Sequence, residues 1–104
     1  HLVEDACHAP GAYHLTNRNH KTKVGSCKYS IASTFSFHAI KHVTMGEGGC
    51  ITTNNKKFYS VAKIFRSHGM IRNKKKHWDY DAKNFGYNYR LSDINCALGY
   101  SQLK

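Results

Sequence analysis

Residues 34–49 constrain the fold of this chain more than any other stretch. Thr34-Phe35-Ser36-Phe37 alternates polar and apolar side chains, as a strand does. A second strand is predicted at residues 50–53, and the segment between the two carries Lys41 and a glycine-rich run at 46–49. We therefore expect a strand, a turn that holds Lys41, and a returning strand.

These residues leave two interpretations of Lys41 open. Held between two strands, with the Ser36 hydroxyl five residues earlier and apolar neighbours, Lys41 suits a Schiff base, because a buried lysine loses its proton readily. A solvated lysine in a surface hairpin fits the same pattern, and most lysines are solvated. The residues alone favour the surface hairpin.

The strands and loops of the rest of the chain follow from local patterns. Residues 1–5, His-Leu-Val-Glu-Asp, look like the end of a strand, and their acidic pair would lie at a carboxyl edge, where ligands gather in open α/β sheets. Residues 31–37 are rich in β-formers and predict a strand. Residues 13–23 are polar and residues 70–85 have no sustained period, so both are expected to be loops.

Two helices are predicted from spacing and capping residues. Apolar side chains recur every three or four residues after Asn54 or Asn55, which predicts an amphipathic helix ending near His68. Ser92 or Asp93 would cap a second helix that runs to the end of the chain at Lys104.

The chain is strongly basic. Sixteen Lys and Arg against six Asp and Glu give a formal charge of +10, which predicts attraction to a nucleic acid, a nucleotide or an anionic membrane. The excess is concentrated in residues 17–23 and 72–77, which are expected to be solvated loops. Charge alone does not choose among these partners.

Length and cysteine spacing narrow the class further. A chain of 104 residues that is 40% hydrophobic can form one small domain. Its four cysteines, at 7, 27, 50 and 96, form no C-x-x-C pair, which argues against a zinc site, so no metal is expected. With no signal peptide and no apolar run of membrane-spanning length, we expect a cytoplasmic chain with free, mostly packed thiols and no membrane contact.

Six motifs carry a resemblance to a known family. They appear in family order and cover nearly the whole chain: residues 3–9 (VEDACHA), 24–26 (VGS), 35–41 (FSFHAIK), 46–49 (GEGG), 66–69 (RSHG) and 86–93 (GYNYRLSD). The chain resembles the DegT/DnrJ/EryC1/StrS family, the fold-type I sugar aminotransferases that use pyridoxal 5'-phosphate (PLP) to aminate nucleotide-linked keto sugars. The detailed sequence of these motifs is most similar to the branch that acts on UDP-linked 4-keto amino sugars in pseudaminic acid synthesis.

The resemblance implies an α/β fold, part of the large domain of a fold-type I PLP-dependent transferase, with a mixed sheet and flanking helices. Residues 1–104 would be a partial PLP-binding domain, because the upstream segment and the C-terminal small domain of the family are missing. The expected function is transamination of a nucleotide-linked 4-keto sugar in cell-surface or secondary-metabolite sugar biosynthesis. A truncated chain that is incomplete or inactive alone, or a non-catalytic remnant, fits the same pattern.

The resemblance also implies roles for individual residues. Lys41 matches the lysine that binds the cofactor aldehyde and moves the substrate proton, and Asp5 matches the carboxylate that pairs with the pyridine nitrogen. His8 matches a residue beside the ring oxygen. Ser36 matches a hydroxyl that donates to the cofactor phosphate, and Asn88 an amide that reaches the phosphate from the neighbouring subunit of a homodimer.

Arg90 could pair with a substrate carboxylate or phosphate, and a structural ion pair with an acidic neighbour is an equal alternative. The amino donor implied by the family is an amino acid, with glutamate expected.

Two rival classes bear on these expectations. A PLP-dependent sugar dehydratase shares the scaffold but has histidine in place of the Schiff-base lysine, so Lys41 argues for amino transfer. A basic nucleic-acid-binding fragment would explain the charge, but the sequence has no arginine-rich recognition helix, RNP-like aromatic pattern or zinc knuckle. No nucleic-acid partner is therefore expected.

Overall fold

A computed structural model describes residues 1–15, 20–73, 75–76, 78–82 and 84–103. Parts of the two predicted basic loops, at residues 17–19, 74 and 77, and the predicted helix end at Lys104 lie outside the described residues. The chain divides into two compact units. Unit 1 comprises residues 1–55 and 91–104, and unit 2 comprises residues 56–90.

The described residues form seven strands and two helices. In chain order they are β1 (Val3–Asp5), β2 (Tyr13–Leu15), β3 (Lys21–Lys23), β4 (Ala32–Ser36), β5 (Gly49–Thr52), α1 (Lys56–Arg66), β6 (Met70–Arg72), β7 (Tyr80–Ala82) and α2 (Asp93–Ser101). The strands at 32–36 and 49–52 and both helices confirm the predicted elements, but α2 ends at Ser101, so the prediction that it continues to Lys104 is wrong.

The central sheet of unit 1 has three strands in the order β1-β4-β5. Strand β4 pairs in parallel with β1 and antiparallel with β5, so the sheet is mixed, as predicted. Parallel pairing brings the carboxyl ends of β1 and β4 to the same edge of the sheet. The residues that follow this edge are therefore placed to form a site.

The alternation of side chains along these strands separates two faces. Glu4 is paired with Ser33, and Asp5 with Thr34, so the two neighbouring carboxylates project to opposite faces. Ser36 shares the face of Thr34 because it lies two residues further along β4. Ser33 on the other face is fully buried, between the buried Ala32 and the half-buried Thr34.

Helix α2 also belongs to unit 1, and its start is fixed by a capping residue. Ser92 has an extended conformation, and its hydroxyl accepts a hydrogen bond from the Asn95 backbone N–H at 3.2 Å. Asp93 in the first turn adds a carboxylate where the helix dipole favours negative charge. The capping residue predicted from sequence is therefore confirmed as Ser92.

The loop expected at residues 13–23 is wrong in part. Strands β2 and β3 pair antiparallel there, with His14 opposite Thr22. These strands lack a buried apolar face, since all three residues of β2 are exposed and β3 is Lys-Thr-Lys. The pairing depends on backbone hydrogen bonds and on a side-chain contact from His14 to another strand, described below.

The loop expected at residues 70–85 is also wrong in part. In unit 2, strands β6 and β7 form an antiparallel hairpin in which Ile71 faces Asp81. Three-residue strands are too short to show a period. The connection is instead organised by Asn73, whose backbone N–H and side-chain amide donate to the backbone and carboxylate oxygens of Asp79 at 2.9 and 3.0 Å.

No helix in the described part of the chain is both long and apolar enough to cross a bilayer. All four cysteines are free, but the expectation of mostly packed thiols is wrong for two of them. Cys7 and Cys27 are half-buried, whereas Cys50 and Cys96 are exposed.

Candidate functional site

Two predicted site residues lie at the carboxyl edge of the β1–β4 pair. Asp5 is the last residue of β1, and Ser36 is the last residue of β4. Because Asp5 is in register with Thr34, Ser36 lies two residues further on, roughly 7 Å along the strand direction. Both side chains project to the same face, so the sheet alone places these two predicted cofactor contacts on one side.

Asp5 is held as a carboxylate. The Cys7 backbone N–H donates to Asp5 Oδ1 at 3.1 Å. Hydrogen bonding from the Cys7 side chain and backbone, with smaller electrostatic effects of Lys41 and His8 and against a smaller opposing effect of burial, lowers the pKa of the Asp5 carboxyl below its usual range. An ionised acid at this position is what a protonated ring nitrogen requires.

Lys41 lies in a loop that is closed by two hydrogen bonds to the backbone of Phe37. The Phe37 N–H donates to the Gly48 carbonyl at 2.7 Å, and the Phe37 carbonyl accepts from the Met45 N–H at 2.8 Å. Inside this loop the Lys41 N–H donates to the His38 carbonyl at 2.9 Å, which forms the turn. The predicted strand, lysine turn and returning strand are therefore confirmed.

The Lys41 amine meets a second predicted site residue. Lys41 Nζ lies 2.7 Å from His8 Nε2, so a hydrogen bond joins the loop after β4 to the turn after β1. The Lys41 side chain is half-buried, but the neighbouring Ile40 is 79% exposed and does not shield it. The apolar desolvation expected from the sequence is thus absent at Ile40, and the His8 contact is the feature that orients the amine.

Helix α2 supports the far side of the lysine loop. The Asn95 side-chain amide donates to the carbonyls of Met45 and Glu47. Gln102 Oε1 accepts from the Thr44 N–H at 2.9 Å. Residues 44–47 are therefore fastened to a helix through side chains that the sequence patterns did not single out.

Ser36 retains a proton that it can donate. Its hydroxyl oxygen accepts from the His38 N–H at 3.4 Å, which uses a lone pair and leaves the O–H available. Gly49, opposite Ser36 in β5, allows close approach of the strands, since a Cβ there would lie 2.6 Å from the Phe35 carbonyl oxygen. Glycine at position 49 therefore lets β5 lie close to β4 beside the predicted phosphate contact.

Asn88 and Arg90 belong to unit 2 and are described within it. Asn88 forms an antiparallel bridge with Ser67, and it lies between Tyr87 and Tyr89, whose rings stack with centroids 5.0 Å apart. Arg90 is exposed, and the ion pairs found among the described residues, both made by histidines, do not include it. The structural ion pair considered for Arg90 is therefore not found in the described part of the chain.

A polar network on the opposite sheet face was missed by the sequence patterns. Glu4 Oε2 accepts from the Ser33 hydroxyl at 2.5 Å and from the Gly25 N–H at 3.4 Å, while Glu4 Oε1 lies 2.5 Å from His14 Nε2. Hydrogen bonding from Ser33, against a smaller opposing effect of burial, lowers the pKa of the Glu4 carboxyl. The acidic pair at residues 4–5 was the available signal, but the strand register was needed to separate the two carboxylates.

A cleft of about 160 Å³ opens beside this network. Its lining includes Glu4, His14, Cys27 and Tyr29, and it includes no residue of the group formed by Asp5, His8, Ser36 and Lys41. The candidate site is therefore the sheet edge with the lysine loop, and the cleft belongs to the other face.

The chain belongs to the DegT/DnrJ/EryC1/StrS aminotransferase family, whose sequence model matches residues 1–104. A curated relative, the UDP-4-amino-4,6-dideoxy-N-acetyl-beta-L-altrosamine transaminase of Campylobacter jejuni strain 81-176, is 48% identical over 103 residues. GDP-perosamine synthase of Caulobacter vibrioides is 38% identical over 104 residues.

Each of these alignments covers 99% of this chain but only 25% of the relative, so the chain spans about a quarter of the curated relatives it matches.

Solved structures support the same assignment. PseC of Helicobacter pylori, an aminotransferase involved in pseudaminic acid biosynthesis, superposes with a TM-score of 0.82 at 42% identity and is matched over 97% of this chain and 25% of its own. The sugar aminotransferase CalS13 of Micromonospora echinospora gives 0.79 at 29% identity, over 97% and 26% of the two chains. A Streptococcus pneumoniae protein solved in a PLP form gives 0.77 at 30% identity, over 97% and 24%. The expected large-domain fold, incomplete in this chain, is confirmed.

Proposed function

We propose that this chain is the cofactor-anchoring segment of a PLP-dependent aminotransferase that acts on a nucleotide-linked 4-keto sugar. The observation that carries the proposal is the 2.7 Å contact between Lys41 Nζ and His8 Nε2, at the sheet edge where Asp5 and Ser36 share a face. Relatives named for UDP- and GDP-linked sugars support the substrate class.

The donor set of the sheet edge fits pyridoxal phosphate. Lys41 would hold the aldehyde carbon covalently, Asp5 the ring nitrogen, and Ser36 the phosphate, with His8 beside the ring oxygen. The chemistry that the bound cofactor supplies is an electron sink, which lets an amino group pass between an amino acid and a keto sugar. An amine, a carboxylate and a hydroxyl with a free proton are the groups such a ligand needs.

His8 can prepare the Lys41 amine for this role. In the tautomer with an unprotonated Nε2, the His8 ring accepts a hydrogen bond from Lys41 Nζ and fixes its direction. A neutral amine at Nζ is the nucleophilic form, and the same atom can take up or release a proton from the substrate carbon. Asp5, kept anionic by Cys7, would pair with the protonated ring nitrogen and leave the amine to His8.

Asn88, Arg90 and the oligomeric state belong to the same proposal. Asn88 would donate its amide to the phosphate from the neighbouring subunit of a homodimer, and Arg90 would bind a carboxylate or phosphate of the donor or the substrate. The donor is proposed to be glutamate. The cytoplasmic location and the partial-domain assignment of residues 1–104 stay predictions.

Covalent trapping tests the cofactor assignment on this chain. The chain has twelve lysines, so the purified protein is incubated with pyridoxal phosphate, reduced with borohydride and digested, and each lysine peptide is quantified by mass spectrometry. We expect preferential labelling of Lys41, loss of that label in Lys41→Arg, and no change at Lys41 in the control Lys28→Arg. Labelling spread over the exposed lysines without preference for Lys41 removes the case for cofactor binding by this chain.

A further inference from the structure

The network around Glu4 is built onto the strand that delivers Asp5. Strand β1 has only three residues, and β4 is its sole neighbour in the described sheet. A short edge strand has few backbone hydrogen bonds to fix its position. The place of Asp5 therefore depends on whatever else fastens β1.

Both oxygens of the Glu4 carboxylate are used for this purpose. Oε2 binds the Ser33 hydroxyl at 2.5 Å, directly across the β1–β4 register, and Oε1 binds His14 on β2 at 2.5 Å. The Gly25 N–H, after β3, adds a longer contact at 3.4 Å. One side chain thus ties β1 to the sheet, to the β2–β3 hairpin and to the turn that follows it.

The network continues across the sheet to β5. Cys27 Sγ lies 3.6 Å from Ser33 Oγ and 3.1 Å from the Thr52 carbonyl oxygen. Ser33 has no exposed surface, and the Glu4 side chain is 18% exposed. A charge-assisted hydrogen bond in such a setting is strong, and a carboxylate deprived of its donors there is costly.

We propose that Glu4 is a positioning residue: its carboxylate clamps β1 against β4 and the β2–β3 hairpin and so holds Asp5 at the sheet edge beside Lys41 and His8. The inference rests on the proposed function for the meaning of Asp5, but the clamp is a property of this chain's own residues. The titratable groups that face Glu4 are His14, then Lys23, Lys28 and Tyr29, which line the same cleft, and, through Ser33, Cys27; those that face Asp5 are Cys7, His8 and Lys41.

Replacement of Glu4 has two effects on the Asp5 carboxyl, and they have opposite signs. Removal of a neighbouring negative charge lowers the pKa of Asp5, because its ionised form is repelled less. Displacement of β1 raises the pKa of Asp5, because Asp5 then loses hydrogen bonding from Cys7 and the electrostatic influence of Lys41. The sign of the change in Glu4→Ala therefore separates a clamp from a simple charge neighbour.

The first measurement is a pH titration of the Asp5 carboxyl carbon by NMR in the full chain. We expect an upward change in the pKa of Asp5 in Glu4→Ala, a smaller one in Glu4→Gln, and none in Glu47→Ala, which removes an exposed carboxylate from the lysine loop. A folded Glu4→Ala chain whose Asp5 pKa is unchanged or lower overturns the proposal. If Glu4→Ala does not fold, Ser33→Ala and His14→Ala each remove one partner, and an unchanged Asp5 pKa in both overturns it as well.

The second measurement is the rate of borohydride trapping at Lys41. A misplacement of about 1 Å can cost on the order of a hundredfold in rate, so we expect a fall of roughly ten- to a hundredfold in Glu4→Ala and little change in Glu47→Ala. Failure of the wild-type chain to label Lys41 counts against the proposed function, while the Asp5 titration still decides the clamp. A Glu4→Ala chain that labels Lys41 at the wild-type rate rejects the positioning role.

Discussion

The two compact units of this chain are held together in different ways. Unit 1 contains the buried Ala6, Ala32 and Ser33 and a polar network with its hydrogen bonds satisfied. Helix α1 of unit 2 has no buried residue, and nearby Phe85 is 96% exposed. Unit 1 thus has the beginnings of a core, whereas unit 2 relies on backbone hydrogen bonds and stacked aromatic rings.

The two units also differ in net charge. Residues 56–90 carry ten Lys and Arg against two Asp, a formal charge of +8, while the rest of the chain carries six against four, a charge of +2. The basic character of the sequence therefore belongs almost entirely to unit 2. The candidate catalytic lysine lies in the nearly neutral unit, so the +10 of the whole chain is not evidence about the environment of Lys41.

The largest expected effect is a loss of stability confined to unit 2. Gly69 is buried with a φ of 70°, and a Cβ there would lie 1.7 Å from the Asn84 carbonyl oxygen. We expect Gly69→Ala to destabilise unit 2 by about 3 kcal/mol or more, because backbone strain and a clash add. Fluorescence of Trp78, the single tryptophan, should show the loss, while amide NMR signals of β4 and β5 stay in place. Equal loss of signals in both units would contradict the division.

A smaller loss of stability is expected in unit 1 when its polar network is disrupted. Ser33→Ala removes the donor to Glu4 Oε2, and we expect a loss of about 1.5–3 kcal/mol in the free energy of unfolding, since the acceptor is charged and largely shielded. The matched control is Ser60→Ala in α1, where an exposed hydroxyl donates to the Lys56 carbonyl and a change within about 0.5 kcal/mol is expected. Urea unfolding followed by circular dichroism measures both, and equal losses would rule out a special role for the network.

The network also predicts a dependence of stability on pH. The folded state holds the pKa of Glu4 below its ordinary value, so this contribution is present at neutral pH. It declines as pH falls below about 4.3, where the unfolded chain begins to take up protons first, and it is gone once folded Glu4 is protonated. Glu4→Gln should flatten the acid limb of a plot of unfolding free energy against pH, and Glu47→Gln should not. An unchanged acid limb in Glu4→Gln would show that the carboxylate does not contribute.

The sequence predicted what local patterns control. Alternation located β4, apolar spacing located both helices, and Ser92 capped α2 as expected. Motifs predicted Lys41, Asp5 and Ser36 as site residues, and their shared edge follows from strand order. The two hairpins were missed because three-residue strands pair through backbone groups that no side-chain pattern reports.

The Glu4 network was missed for a related reason. Adjacent carboxylates at residues 4 and 5 are equivalent in a sequence, and only the register of β1 with β4 assigns them to opposite faces. Asn95 and Gln102 were missed likewise, because their hydrogen bonds join residues about 50 or more positions apart in the chain. Such contacts depend on the tertiary fold and leave no local pattern.

The smallest expected effect is a salt dependence of stability that differs between the two units because their net charges differ. Salt raised from about 0.05 M to about 0.5 M shortens the range over which like charges repel, so unit 2 should gain up to about 1 kcal/mol while unit 1 changes less. Hydrogen exchange at the Met70 and Asn73 amides, compared with Ala6 and Phe37, measures each unit separately. Lys76→Glu should reduce the gain in unit 2, and Lys28→Glu in unit 1 should leave it unchanged. Equal protection changes at all four amides would mean that the +8 charge of unit 2 is already screened at the lower salt concentration. The contrast between the units would then rest on packing alone.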